Sequence, residues 1–205
     1  MIVLFIIILI CMFILNRCLE VPESQSSHVY FTNGILSHNT QTISAYILWR
    51  AMFNDKKEET LCVSKDASGA KEIINRIQKM YLELPDHIKC GVSDESWNKH
   101  TAEFDNGSKI VSLSTTENSG RGLSPSLVFA DELGWVKDNT QQAFWAAIQP
   151  TLSTGGSCII ASTPNGDTDL FSSLYRGANS TSNWNGFKSL FVPWNAPPGR
   201  DEKFK

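Results

Sequence analysis

The sequence has no excess of basic charge. Its 205 residues carry 18 Lys and Arg against 21 Asp and Glu, a net charge of −3. Such a chain has no global electrostatic footprint for nucleic acid, so any DNA contact must come from a local patch or from a partner domain. Cysteine is sparse and unpaired: Cys11, Cys18, Cys62, Cys90 and Cys158 show no C-x-x-C spacing, which argues against zinc and thioredoxin-type sites. An odd count without secretory context points to reduced thiols in a cytoplasm. Internal repeats are absent. No Lys or Arg precedes the apolar N-terminus "MIVLFIIILICMFIL" and no small-residue cleavage site follows it, which excludes a secretory leader of the usual kind. Fifteen apolar residues also fall short of the roughly 20 that a membrane span needs. The Ile, Val and Phe content suits a buried strand. A membrane anchor and a degenerate segment are the other readings.

The remainder has an ordinary globular composition, 41% hydrophobic and 19% charged, for one or two domains. "HVYF", "NG" and the residues after them predict a short hairpin ahead of residue 40. "TISAYILWRAMF" places Ile43, Ile47, Leu48 and Met52 at helical spacing. "ETLCVS" (59–64) reads as a buried strand. A helix then starts at the Asp66 signal and stops before Pro85. Asn106-Gly107 centres a hairpin in "TAEFDNGSKIVSLST". "SLVFADE" is an apolar strand, "TQQAFWAAIQP" a helix ending at Pro150, and "SCIIASTPNG" a second apolar strand. Strands alternating with helices predict an α/β fold with a mostly parallel sheet between helix layers.

Chemistry concentrates at strand ends. Asp131 and Glu132 emerge at the carboxyl end of an apolar strand, where α/β sheets place ligands. Two carboxylates there can divide the labour, one holding Mg²⁺ and the other orienting an attacking water. The plainer alternative is a solvated acidic turn. Ser162 and Thr163 end the second apolar strand, placed to sense a phosphate or to cap a helix beginning near Pro164. Arg121 stands between Gly120 and Gly122 on a loop that can reach a phosphate in its own subunit or a neighbour's, or simply face solvent. The G-x-x-x-x-G-K-[ST] loop that a nucleotide site of this kind requires does not occur. Gly69-Ala70-Lys71 is followed by Glu72 and Gly107-Ser108-Lys109 by Ile110. Neither is expected at a strand-to-helix junction.

"SHNT" (37–40) has two readings. Asn39 or Thr40 can cap the helix that follows. Alternatively, the Asn39 amide can attack its own backbone carbonyl and cut the chain, with His38 as acid or base and Thr40 as the next nucleophile.

From Thr40 onward the sequence resembles the ATPase domain of tailed-phage terminase large subunits. The likeness rests on "TQTISAYILW", "MYLELP", "FDNGSKIVSLST", "GRG", "LVFADE", "QPTLSTGG", "ASTPNG" and "VPWN", in that order. It implies a P-loop NTPase fold over residues 40–205. It makes Asp131 the Walker B acid on Mg²⁺, Glu132 the carboxylate that activates water, and Arg121 the arginine that steadies phosphate charge. It places Ser162 and Thr163 in the coupling motif, and Thr40 with Gln41 at the nucleotide, Thr40 also on Mg²⁺. ATP is the implied substrate. The implied partners are DNA, a portal protein, a small terminase subunit and further copies in a ring, in a host cytoplasm. The nuclease domain of larger family members is not expected here. Residues 18–39 resemble the C-terminal end of an intein, with Asn39 cyclising, His38 assisting, Thr40 as acceptor, and His28 and Cys18 at earlier motif positions. That likeness implies a split precursor: an intein piece over 1–39 that joins Thr40 to an upstream half ending in Gly-Lys. A degenerate prophage fragment and a membrane-anchored, non-enzymatic protein are the competing readings.

Overall fold

A computed structural model describes residues 30–32, 35–37, 39–54, 56–92 and 97–191. The apolar run 1–15, Cys18, His28, His38 and the side chain of Asn39 lie outside what it describes. Strands β1 (Tyr30–Thr32) and β2 (Ile35–Ser37) form an antiparallel pair with Thr32 opposite Ile35. This is the register that the Asn33-Gly34 dipeptide predicts. Helix α1 spans Asn39–Phe53. It begins three residues before the Thr42 at which the apolar period starts, so Asn39 and Thr40 lie in its first turn and neither is its cap.

A second sheet carries the rest. Its strands are β3 (Glu59–Ser64), β4 (Thr101–Glu103), β5 (Lys109–Ser114), β6 (Leu127–Asp131) and β7 (Ser157–Ala161), in the order β4-β5-β3-β6-β7. All neighbours are parallel except β4 and β5, whose tight turn uses Gly107 at φ 80°. Successive side chains in a strand point to opposite faces, and both faces are covered. Cys62, Ile110, Leu127 and Phe129 pack under α1 and α2 (Ala67–Glu83), with Ile47, Leu48, Ile73 and Ile77. Leu61, Val63, Val128 and Ala130 pack under α3 (Asp138–Ser153), with Phe144 and Ile148. Burial on both sides is why β3 and β6 read as unbroken apolar runs. Helix α4 (Leu170–Ala178) follows the loop after β7.

Three local expectations are corrected. Pro150 does not end α3, which continues to Ser153. Proline forgoes only the bond that its own N–H would have given to the carbonyl of Ala146, and its own carbonyl still serves the helix end, where the Thr154 N–H and hydroxyl both reach it, at 3.2 and 3.3 Å. Gly69 does lie at a strand-to-helix junction, in the first turn of α2 just after β3. That helix start is already capped by its own anion: Asp66 Oδ1 accepts from the Gly69 N–H at 2.8 Å. Ser162 and Thr163 cap no helix. The next helix is capped by Asp169, which accepts from Ser172 N–H at 2.8 Å.

Candidate nucleotide site at the carboxyl edge of the sheet

The parallel strands β3, β6 and β7 end along one edge, and chemistry gathers there. Asp131 closes β6 and is half-buried beside the first turn of α1. The Thr40 hydroxyl donates to its carboxylate, 3.3 Å from Oδ1 and 3.4 Å from Oδ2. These two residues are 91 positions apart in sequence. Burial, and then the charge of Glu132, push the Asp131 carboxyl up to about 6, against the Thr40 hydrogen bond and the more distant Arg76 and Lys65 charges. Among the described residues the Thr40 hydroxyl is the one hydrogen-bond donor to this carboxylate.

Glu132 turns the chain sharply. Its φ of 56° and ψ of 33° are left-handed, a conformation that strains a non-glycine residue by about 1 kcal/mol or more. Its N–H donates to the Ala161 carbonyl at 2.7 Å, so the turn is tied to the end of β7. Two more bonds join the same loops. Gly134 N–H donates to Ser162 Oγ at 3.0 Å, and Trp135 Nε1–H to Thr163 Oγ1 at 2.7 Å. Ser162 Oγ donates in turn to the Thr163 carbonyl at 2.9 Å. A side chain at position 134 would meet Ser162 Oγ at 3.0 Å and the Thr163 carbonyl at 3.1 Å, so this crossing is built for glycine.

The sequence-derived residues thus divide. Thr40 and Asp131 meet, Glu132 follows Asp131 in the chain, and Ser162 and Thr163 hold the turn that Glu132 begins. Gln41 is half-buried beside Thr40 in the same helical turn. Arg121 is exposed on the loop between β5 and β6 and forms no side-chain hydrogen bond or ion pair among the described residues. Trp135 and Lys65 were missed. Lys65 follows β3 at the same edge, with its ammonium 6.0 Å from the Trp135 ring centre. The rule that directs attention to the ends of β6 and β7 applies equally to β3 and would have found it. No sequence signal marks Trp135.

Thr40 and Asp131 offer two hard oxygen donors, one of them a desolvated, under-partnered carboxylate. Such a pair fits Mg²⁺, which takes few protein ligands and completes its shell with water and phosphate oxygens. Among the described residues there is no cluster of three or more His, Cys, Asp or Glu side chains for a metal, so an all-protein metal cage is not what this edge provides.

The architecture matches solved structures. The fold is that of a large-terminase ATPase domain. The chain is similar to the large terminase of bacteriophage HK97, with a TM-score of 0.60 and 19% identity over 85% of this chain and 36% of that one. It is similar also to the large terminase of a thermophilic bacteriophage in complex with ADP, with a TM-score of 0.59 and 14% identity over 95% of this chain and 47% of that one. A Thermus phage large terminase ATPase domain gives a TM-score of 0.53 and 17% identity over 66% and 59%. The chain therefore spans only 36% to 59% of the length of these structures. No protein-family model matches it. The expected P-loop-type α/β fold is present, with a mostly parallel sheet flanked by helices.

Proposed function

We propose that residues 40–205 are part of the ATPase of a phage DNA-packaging motor, a large terminase, and that the chain is a protein-splicing precursor. The Thr40–Asp131 contact carries this reading. A hydroxyl in the first turn of a helix beside a carboxylate at a strand end is the arrangement a phosphate-bound Mg²⁺ requires. The fold likeness supports it, and one of the similar terminases holds ADP.

In this reading Thr40 and Asp131 hold Mg²⁺, which supplies charge neutralisation at the phosphates. Glu132 accepts the proton of the attacking water, and its strained turn, tied to β7 at Ala161, Ser162 and Thr163, fixes where the carboxylate stands. Gln41 flanks the nucleotide. Arg121, exposed on its glycine-flanked loop, serves phosphate charge from a neighbouring copy in a ring. DNA, a portal protein and a small terminase subunit complete the machine in the host cytoplasm. Residues 1–39 are the intein piece: Asn39 cyclises, His38 moves the proton, Thr40 accepts the upstream half, and His28 and Cys18 assist earlier steps. The support for this part is the sequence. The His-Asn-Thr triplet stands where a phosphate loop should run into α1, and residues 1–38 contain no Lys and only one Gly. Thr40 then serves twice, first as splicing nucleophile and later as Mg²⁺ ligand.

The test is co-expression with an N-terminal half ending in Gly-Lys, followed by intact-mass analysis and phosphate release. The joined protein is expected to turn over ATP on the scale of about 1–10³ s⁻¹, and the unjoined chain not to. Glu132→Gln in the joined protein should bind nucleotide and not hydrolyse it, because an amide cannot take the water's proton. Asn39→Ala should leave the precursor uncut. Wild-type hydrolysis by Glu132→Gln overturns the ATPase assignment. An uncut "NGILSHNTQTISAY" peptide, under conditions where a control intein splices, overturns splicing.

A further inference from the structure

We infer that Trp135, with Lys65 beside it, is a platform for a nucleoside phosphate, the base stacking on the indole face and the phosphate meeting the ammonium. This rests on the ATPase reading for the presence of a nucleotide, and on geometry alone for its place.

Three strand ends build the platform. Lys65 follows β3, Trp135 lies on the loop after β6, and Thr163 follows β7, along the edge where α/β sheets place ligands. The loop after β6 forms a single 3-10 turn, Leu133–Trp135, and is anchored from below. Leu133 is fully buried with Phe144 and Ile148, and the Gly134 N–H is held by Ser162 Oγ. Trp135 is then clamped by its polar groups. Its backbone N–H donates to the Glu132 carbonyl at 3.0 Å and its indole N–H to Thr163 Oγ1 at 2.7 Å. A ring whose one donor is satisfied has its orientation set, so a ligand finds it already ordered.

What remains is the face of the ring. Trp135 is 51% exposed. Among the described residues Trp49, Trp97 and Trp145 each lie against another aromatic ring, and Trp135 lies against none. Its companion is a cation. Lys65 Nζ stands 6.0 Å from the ring centre, at the outer limit of a cation–π contact. Lys65 is exposed and enters no ion pair among the described residues. Its charge also reaches Asp131, whose carboxyl it draws downward against burial. An ordered aromatic plane beside an unpaired ammonium takes a base and its phosphate together. Two sources share that chemistry: the nucleotide hydrolysed at Thr40 and Asp131, and a nucleotide unit of DNA. Either one, seated here, bears on the turn that carries Glu132, through the bonds that Trp135 makes to Glu132 and Thr163.

The test titrates the full chain with AMP, with ribose 5-phosphate and with a short single-stranded oligodeoxyadenylate, each up to ~10 mM, and follows tryptophan fluorescence. AMP or the oligonucleotide is expected to quench a saturable part of the emission that Trp135→Phe lacks. Ribose 5-phosphate, which has no base, is expected to leave it unchanged. Lys65→Ala should weaken the binding by about tenfold. Saturation at the lower nucleotide concentration by AMP assigns the platform to the hydrolysed nucleotide, and by the oligonucleotide to DNA. Should Trp135→Phe unfold, Lys65→Ala, a change on an exposed side chain, decides together with the ribose control. Equal quenching in Trp135→Phe, equal quenching by ribose 5-phosphate, or none by either base-bearing probe overturns the inference. Quenching at Trp135 in a chain that, once joined, does not turn over ATP refutes the ATPase reading and leaves the platform standing. Turnover with no quenching at Trp135 does the reverse.

Discussion

Glu58 stands at the amino end of β3 and Asp131 at the carboxyl end of β6; the first is buried and the second half-buried. Glu58 is surrounded by donors. Arg50 Nη2 lies 2.8 Å from both of its oxygens, Asn54 and Ser126 donate to one oxygen each, and its own N–H reaches Ser108 Oγ at 3.1 Å. Burial alone would push its carboxyl up, but the Arg50, Ser126 and Asn54 hydrogen bonds win and hold it below the usual range. Asp131 receives one hydroxyl and a neighbouring negative charge, and its carboxyl is pushed up to about 6. One end of the sheet spends its polar groups on fixing the fold. The other leaves a carboxylate with a single hydroxyl donor among the described residues.

Breaking the satisfied end should have the largest effect. Arg50→Ala strands a buried Glu58 and is expected to destabilise the chain by about 3–5 kcal/mol in denaturant unfolding. A loss below about 1 kcal/mol would erase the contrast between the two ends. At the other end, Asp131→Asn should stabilise the metal-free chain near pH 7 by about 1–3 kcal/mol, since it removes a desolvated charge. The pH dependence checks the sign. Below the ordinary value of 3.8 Asp131 is protonated folded or unfolded and contributes nothing. Between 3.8 and about 6 only the unfolded chain has lost the proton, so stability falls as pH rises, and above about 6 the full penalty stands. Glu58 acts oppositely: its stabilisation is present above the ordinary 4.5 and is lost as pH falls through its lower folded value. Unfolding curves of wild type and Asp131→Asn should therefore diverge from pH 4 to pH 6 and run parallel above. Parallel behaviour throughout would show that Asp131 is not strained by burial.

Smaller effects sharpen the picture. Ser162→Ala leaves the buried Gly134 N–H without its acceptor and should cost about 1–2 kcal/mol by thermal or chemical melting. Glu132→Gly relieves the left-handed backbone and is expected to raise stability by about 0.5–1 kcal/mol while removing the carboxylate that the ATPase reading requires. Loss of stability on that change would mean that the turn is not strained.

The sheet was largely legible from periodicity. Apolar runs at 59–64, 127–131 and 157–161 can bury both faces only inside a parallel sheet, and Asp66 and Asn106-Gly107 mark a helix start and a hairpin by local chemistry. The Asp131–Glu132 pair was legible for the same local reason. The Glu58 network was not: a glutamate at the mouth of a strand reads as solvated until Arg50, Ser126 and Ser108 arrive from three other segments. Trp135 escaped because its partner, Thr163, is 28 positions away and indole carries no positional rule. Pro150 misled because a proline costs a helix one donated bond and not its continuation: α3 runs on to Ser153, with Thr154 on the Pro150 carbonyl.

The central place of β3 sets a timetable. A chain emerging from the ribosome releases β3 before any of its neighbours, so each later strand finds a finished edge to join, β5 on one flank, then β6 and β7 in succession on the other. The sheet grows outward like a queue, and β7 joins last on its flank. The flank that ends in β7 is thus the last part of the described sheet to be completed.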